Sequence, residues 1–220
     1  VNKDDRPAAQ KFTVAGKRLA AARESVRVAT ELLDQADDGL PAEQQAKVGQ
    51  ALYQLGDYDA AREHLTAAFA LDSTGERAIR LALTEWRAGN LKAARSWAER
   101  AIELDPQGRV EALIAGTSSS YCSVLAEIQL RQGNAKAAAA SAGAALGIHR
   151  EDIAALTILA TVRLAEGDHA EALELSQRAF DAAPPFLRAE LDKKRTAIDT
   201  FRRGGSPMVL DFANVVEIIV

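Results

Sequence analysis

The 220-residue chain is 48% apolar but only 5% aromatic, and its 27 basic and 31 acidic residues are interspersed to a formal net charge of −4. That balance offers no basic stripe to neutralise nucleic-acid phosphates and no apolar run of the roughly 20 residues that span a membrane as a helix. With Cys122 as the single cysteine, an internal disulfide is excluded as well.

Alanine-rich, helix-favouring sequence points to an all-α protein. The first residues, Val1 to Pro7, are charged and do not read as a signal peptide. A cytoplasmic chain is expected, or one whose leader has been removed. Residues 8 to about 38 form an amphipathic stretch with Phe12, Leu19, Val26 and Leu33 at near-heptad spacing, ending at the stop signal Asp38-Gly39-Leu40-Pro41. Residues 1–41 are therefore expected to supply an N-terminal helix over the open end of whatever follows.

Four glycines then punctuate the chain: Gly56, Gly89, Gly133 and Gly167, spaced by 33, 44 and 34 residues. Each is followed by a short polar side chain, Asp57, Asn90, Asn134 or Asp168. Alanines recur at fixed offsets after each glycine, first Ala61, Ala94, Ala138 and Ala172, then Ala68, Ala101, Ala145 and Ala179. Before each lies an aliphatic–small pair: Val48-Gly49, Leu81-Ala82, Leu125-Ala126 and Leu159-Ala160. A period of this length marks a repeat architecture. The segment before each glycine has helical apolar spacing, as in Val48, Ala51, Leu52 and Leu55. Glycine supplies a left-handed helix end and the polar residue caps the next helix. Small residues at the fixed offsets let two antiparallel helices approach, and one hairpin cannot bury its own apolar face, so hairpins must stack.

These joint offsets resemble the tetratricopeptide-repeat family. The first unit carries Gly49, Gly56-Asp57-Tyr58, Ala61, Ala68 and Leu71-Asp72-Ser73, and the second Ala82, Gly89-Asn90-Leu91, Ala94, Ala101 and Leu104-Asp105-Pro106. The third has Ala126, Gly133-Asn134, Ala138 and Ala145 but Arg150 where proline is usual, and the fourth Ala160, Gly167-Asp168-His169, Ala172, Ala179 and Pro184. The resemblance implies a right-handed superhelical solenoid of antiparallel hairpins over residues 42–186. Its units are 42–74, 75–108, 119–152 and 153–186, with an insertion at 109–118 that can be helix or a loop over one edge of the groove and is a second candidate binding region. It also implies that the first helix of each hairpin lines a concave groove that captures a partner protein's peptide or helix. On that register the groove residues are Lys47, Gln50, Tyr53, Gln54, Arg80, Leu83, Trp86, Arg87, Glu127, Arg131 and Thr161. Tyr53 and Trp86 among arginines have the composition of a binding hot spot. The competing reading is that Trp86 packs between helices and that the cations pair with Glu43, Glu76 or Glu127. The family's clamp for acidic chaperone tails is not implied: Ala46, Gln50, Arg80, Ser120 and Val124 stand at its positions, and of these only Arg80 could serve.

Catalysis, metal and cofactor are not expected. His64, His149 and His169 are scattered over different units, His64 reads as an exposed or edge residue, and one cysteine makes no zinc cluster. Ser118, Ser119, Ser120 and Cys122 have no oriented base in the sequence beside them. Residues 187–203 read as a capping helix with Leu187, Leu191, Ile198 and Phe201 inward and Lys193-Lys194-Arg195 as its surface. Beyond the Gly204-Gly205 joint, the tail from Ser206 to Val220 is apolar, with Val209, Leu210, Phe212, Val216 and Ile219 as candidates for docking on the solenoid or on a second copy. The alternative to a capture module is thus a self-assembling structural module that packs on neighbouring copies through this tail or through its end repeats.

Overall fold

The computed structural model describes residues 40–111 and 117–203, together with seven helical positions between 20 and 31. The N-terminal apolar residues Phe12, Leu19 and Leu33 and the whole tail from 204 onward lie outside the described residues, so the expected docking of Val209, Leu210, Phe212, Val216 and Ile219 does too. Of the N-terminal stretch, Val26 is half-buried and Arg27 ion-pairs with Glu24 at 2.6 Å and with Glu31.

Nine helices follow in chain order among the described residues: α1 (Ala42–Leu55), α2 (Tyr58–Leu71), α3 (Gly75–Arg87), α4 (Leu91–Leu104), α5 (Tyr121–Arg131), α6 (Ala135–Ile148), α7 (Ile153–Ala165), α8 (His169–Ala182) and α9 (Pro185–Arg202). They form an all-α solenoid of paired helices: α1 packs on α2, α3 on α4, α5 on α6 and α7 on α8, with α9 closing the end against α8. The first helices of successive hairpins touch one another, and each second helix packs on the first helix of the next hairpin. The stack therefore curves with α1, α3, α5 and α7 along its inner face.

The turns have the physics read from the sequence. Gly56, Gly89, Gly133 and Gly167 all take φ between 77° and 84°, the left-handed region that side chains with a Cβ resist. Asp57, Asn134 and Asp168 then accept from backbone N–H groups three residues on, at 3.2, 3.2 and 3.0 Å. Asn90 departs from this pattern. Its amide donates to the buried Glu85 carboxylate at 2.8 Å, which also receives Arg62 Nε from the preceding hairpin at 2.6 Å. A buried carboxylate needs two donors more than α4 needs a side-chain cap.

Close approach explains the small residues. Ala61, Ala94, Ala138 and Ala172, like Ala68, Ala101 and Ala145, are wholly buried. A Cβ on Gly49 would lie 2.6 Å from Cγ of Leu65, so only glycine lets α1 approach α2 there. At the C-terminal end Leu187, Leu191 and Ile198 of α9 are buried while Phe186 is 63% exposed. The expected basic surface needs correcting: Lys194 and Arg195 are half-buried, and the Arg195 guanidinium lies 5.7 Å from the Phe180 ring.

The insertion is a hairpin at its base. Two-residue strands β1 (Arg109–Val110) and β2 (Ser119–Ser120) pair antiparallel, Arg109 opposite Ser120 and Val110 opposite Ser119. Residues 117–120 therefore do not lengthen α5 as helix.

Candidate functional site

A cavity of about 1140 Å³ opens on the inner face at the N-terminal half of the stack. One wall is the face of α1 that carries Lys47, Gln50 and Gln54; the other is the first turns of α3 with Arg77 and Arg80. Its end is built by Asp105 after α4, Arg109 of β1 and Tyr121 at the start of α5, and Glu24 of the N-terminal stretch reaches its rim. The insertion is what closes this end: Gly108 accepts from the Tyr121 backbone N–H at 3.0 Å, and Arg109 donates to the Ser118 carbonyl at 2.5 Å.

Of the residues expected in the groove, the cavity brings together Lys47, Gln50, Gln54 and Arg80. Their charges are largely matched locally. Lys47 lies 3.5 Å from Glu43, Arg80 lies 2.8 Å from Glu76 and also binds the Gln50 side chain, and Arg77 pairs with Asp72. Tyr53, Trp86 and Arg87 form a separate aromatic cluster outside the cavity. The Arg87 guanidinium sits 5.2 Å from the Trp86 ring, and Tyr53 meets Tyr58 with ring centroids 5.8 Å apart. Burial pushes the Tyr53 phenol up, with Arg87 pulling it back. Both Tyr53 and Trp86 are half-buried against the main core, so each serves packing as well as surface.

Four expected groove residues have other roles. Leu83 is only 6% exposed and belongs to the core where inner helices meet. Glu127 is 3% exposed and ion-paired to Arg131 at 2.9 Å, so this pair braces α5 instead of presenting free charge. Thr161 is half-buried, and its hydroxyl donates to the Thr157 carbonyl at 2.9 Å.

The serine-rich run has a structural role. Asp152 is buried and its carboxylate accepts from the Ser120 N–H at 2.8 Å, the Ser123 hydroxyl at 2.9 Å and the Ala155 N–H at 3.1 Å. One side chain thereby caps α7 and ties it to the start of α5. Cys122 is buried, and burial raises its thiol pKa, the reverse of an activated nucleophile. His64, read as an exposed or edge residue, is half-buried and bonded through Nδ1 to Gln45 at 2.7 Å. At the clamp positions, Ser120 and Val124 are buried. Among the described residues no group of three or more His, Cys, Asp or Glu could hold a metal ion, and no helix is long and apolar enough to cross a membrane.

The sequence signal missed Tyr121 and Asp105, while Arg109 falls in the insertion expected as a second binding region. None falls at a groove position of the repeat register; they converge because the insertion enters between the second and third hairpins.

A solenoid of stacked helical hairpins with a lined inner face defines a class of binding scaffold. A family model described as tetratricopeptide repeat matches residues 48–109 and 124–186, more than half of the chain. The chain belongs to the tetratricopeptide-repeat family, whose fold generally mediates protein–protein interactions and is typically a non-catalytic scaffold. No curated protein matches it in sequence. Among solved structures it is similar to MamA from Desulfovibrio magneticus RS-1, with 16% identity and TM-score 0.62 over 83% of this chain and 97% of that one. A thermophilic repeat protein of Thermus thermophilus gives 18% identity and TM-score 0.62 over 88% and 95%. YrrB, described as having an unusual peptide-binding site, gives 16% identity and TM-score 0.55 over 84% and 88%. At these identities the likeness is one of fold.

Proposed function

We propose that the chain is a non-enzymatic interaction module, a scaffold, adaptor or assembly helper that holds a peptide or helix of a partner protein against its inner face. The observation that carries this is the cavity, where side chains from α1, α3 and the base of the insertion surround about 1140 Å³. That volume exceeds the usual small-molecule pocket of roughly 300–1,000 Å³ and suits several residues of a bound segment. YrrB's description extends peptide binding to this fold, and we carry that class of ligand over. The buried, unpaired Cys122 fits a reducing compartment, and we place the protein in the cytoplasm; fractionation of the source cell checks that.

The test uses the exposed cavity residues. Lys47→Glu with Gln54→Arg alters the α1 wall while leaving core positions untouched, so helicity and melting temperature should hold. Partners captured by the native chain from its source cell should be lost. Capture unchanged by the double variant would move the binding surface elsewhere.

A further inference from the structure

We propose that the end of the cavity, lined by both Tyr121 and Asp105, receives a lysine or arginine side chain of the bound segment; this names the chemistry of the groove reading above and rests on it. Tyr121 is 3% exposed and lines the cavity, and its hydroxyl makes no hydrogen bond to any of the described residues. The hydroxyl is not sealed in the core but opens on the cavity, where an incoming group can reach it. Its ring is held in place: a Cβ on Gly108 would lie 2.0 Å from it, and the Tyr121 N–H is fixed on the Gly108 carbonyl. The hydroxyl is therefore preorganised at the cavity end.

Two carboxylates, Asp105 and Glu76, and one guanidinium, Arg80, act on the phenol, while the acidic and basic side chains of the whole lining balance. Glu24, Glu43 and Glu76 each ion-pair with Arg27, Lys47 or Arg80. Asp105, on the same cavity, accepts from the Gln107 N–H at 3.2 Å and has no ion pair among the described residues. Arg109, the nearest cation in sequence, directs its guanidinium to the Ser118 carbonyl. The surroundings report on themselves through the phenol, which is pushed up to about 12 by burial and then by the Asp105 and Glu76 carboxylates, with Arg80 opposing last. It stays protonated near neutral pH, in a potential where the carboxylates outweigh the arginine. An incoming ammonium or guanidinium would donate to the Asp105 carboxylate and to the phenol oxygen. An incoming carboxylate would meet Asp105 instead.

Peptides selected from a random displayed library on the immobilised full-length chain supply the probe, and amide-shift mapping shows where they bind. Peptides that map to Lys47 and Gln54 should share one lysine or arginine position. Alanine there should weaken binding about tenfold, equivalent to about 1.4 kcal/mol. Asp105→Asn should weaken the parent peptide by a similar factor and leave the alanine peptide unchanged, because the two losses are one contact. Tyr121→Phe should repeat that pattern with a smaller loss. Mapped peptides without a shared basic residue, or Asp105→Asn weakening both peptides equally, would overturn the cation site and leave the groove reading standing. Peptides that map nowhere on the inner face would overturn both.

Discussion

Leucine in place of Ala138 is the sharpest test of the repeat packing, because α6 is nearly all small residues and its inward face cannot be read from hydropathy alone. Ala138 has 0% exposure, and the helix also buries Ala142 and Ala145. Replacing its methyl with an isobutyl group inserts bulk where α5 and α6 are in contact, and overpacking of that kind costs roughly 1–3 kcal/mol. For a chain of this size each kcal/mol lowers the melting temperature by about 2–4 °C, so a drop of roughly 2–12 °C is expected. Ala140, two residues along the same helix, is exposed. Ala140→Leu should change stability by less than about 0.5 kcal/mol, since leucine is nearly as good a helix former as alanine. Thermal melts followed by far-ultraviolet circular dichroism compare the two directly. If both variants melted with the native chain, or if Ala140→Leu were the costlier, the assigned register of α6 would be wrong.

Gly56→Ala should cost about 1–2 kcal/mol through left-handed strain alone, since a Cβ there meets nothing within 4 Å; chemical denaturation would show it as a lower midpoint with an unchanged slope. Asp152→Ala should be more damaging, roughly 2–4 kcal/mol, because it strips the cap of α7 and orphans the Ser120 and Ser123 donors at once, and a loss below about 1 kcal/mol would contradict the three-donor role. Trp86→Ala with Arg87→Glu should lower the melting temperature, as Trp86 packs on the core, yet preserve helicity and abolish partner capture; capture that survives would leave the aromatic cluster as packing only. Deleting residues 206–220 should raise binding of an apolar dye and, if the tail joins copies, halve the mass seen by light scattering, whereas an unchanged mass and dye signal would remove the tail from the function.

The hairpins were legible because their signals are local and repeated. A glycine that must go left-handed, a polar cap and an alanine that must let helices touch recur at Gly56, Gly89, Gly133 and Gly167, and each repetition narrows the register. The groove was less legible. Helical periodicity places Leu83 and Trp86 on the inner side of α3 alike, but how far neighbouring inner helices close over each residue depends on the curvature of the stack, which one unit's sequence does not encode. Leu83 is covered and Trp86 half so. The same limit applies to Glu127, which the register places in the groove and which packing of α5 between α3 and α7 buries against Arg131.

Tyr121 and Asp105 were invisible for a different reason. Repeats that share a register present similar inner faces, so what makes one stretch of groove chemically distinct must come from where the register breaks. Here it breaks once, between the second and third hairpins. Asp105 ends α4, and Gly75 leaves room for it, since a Cβ there would lie 2.8 Å from the Asp105 Cβ. Tyr121 starts α5 and is locked over Gly108 by the base of the inserted hairpin. Asp105 is fitted against the start of its own unit, whereas Tyr121 is held by a residue of the preceding one. The insertion thus changes more than the spacing of the glycines: it locks a phenol at the end of a cavity where Asp105 has no ion pair among the described residues. A partner that matched only the repeated face would find nothing to distinguish one hairpin from the next. One that brought a cation to this end would be held in a single register.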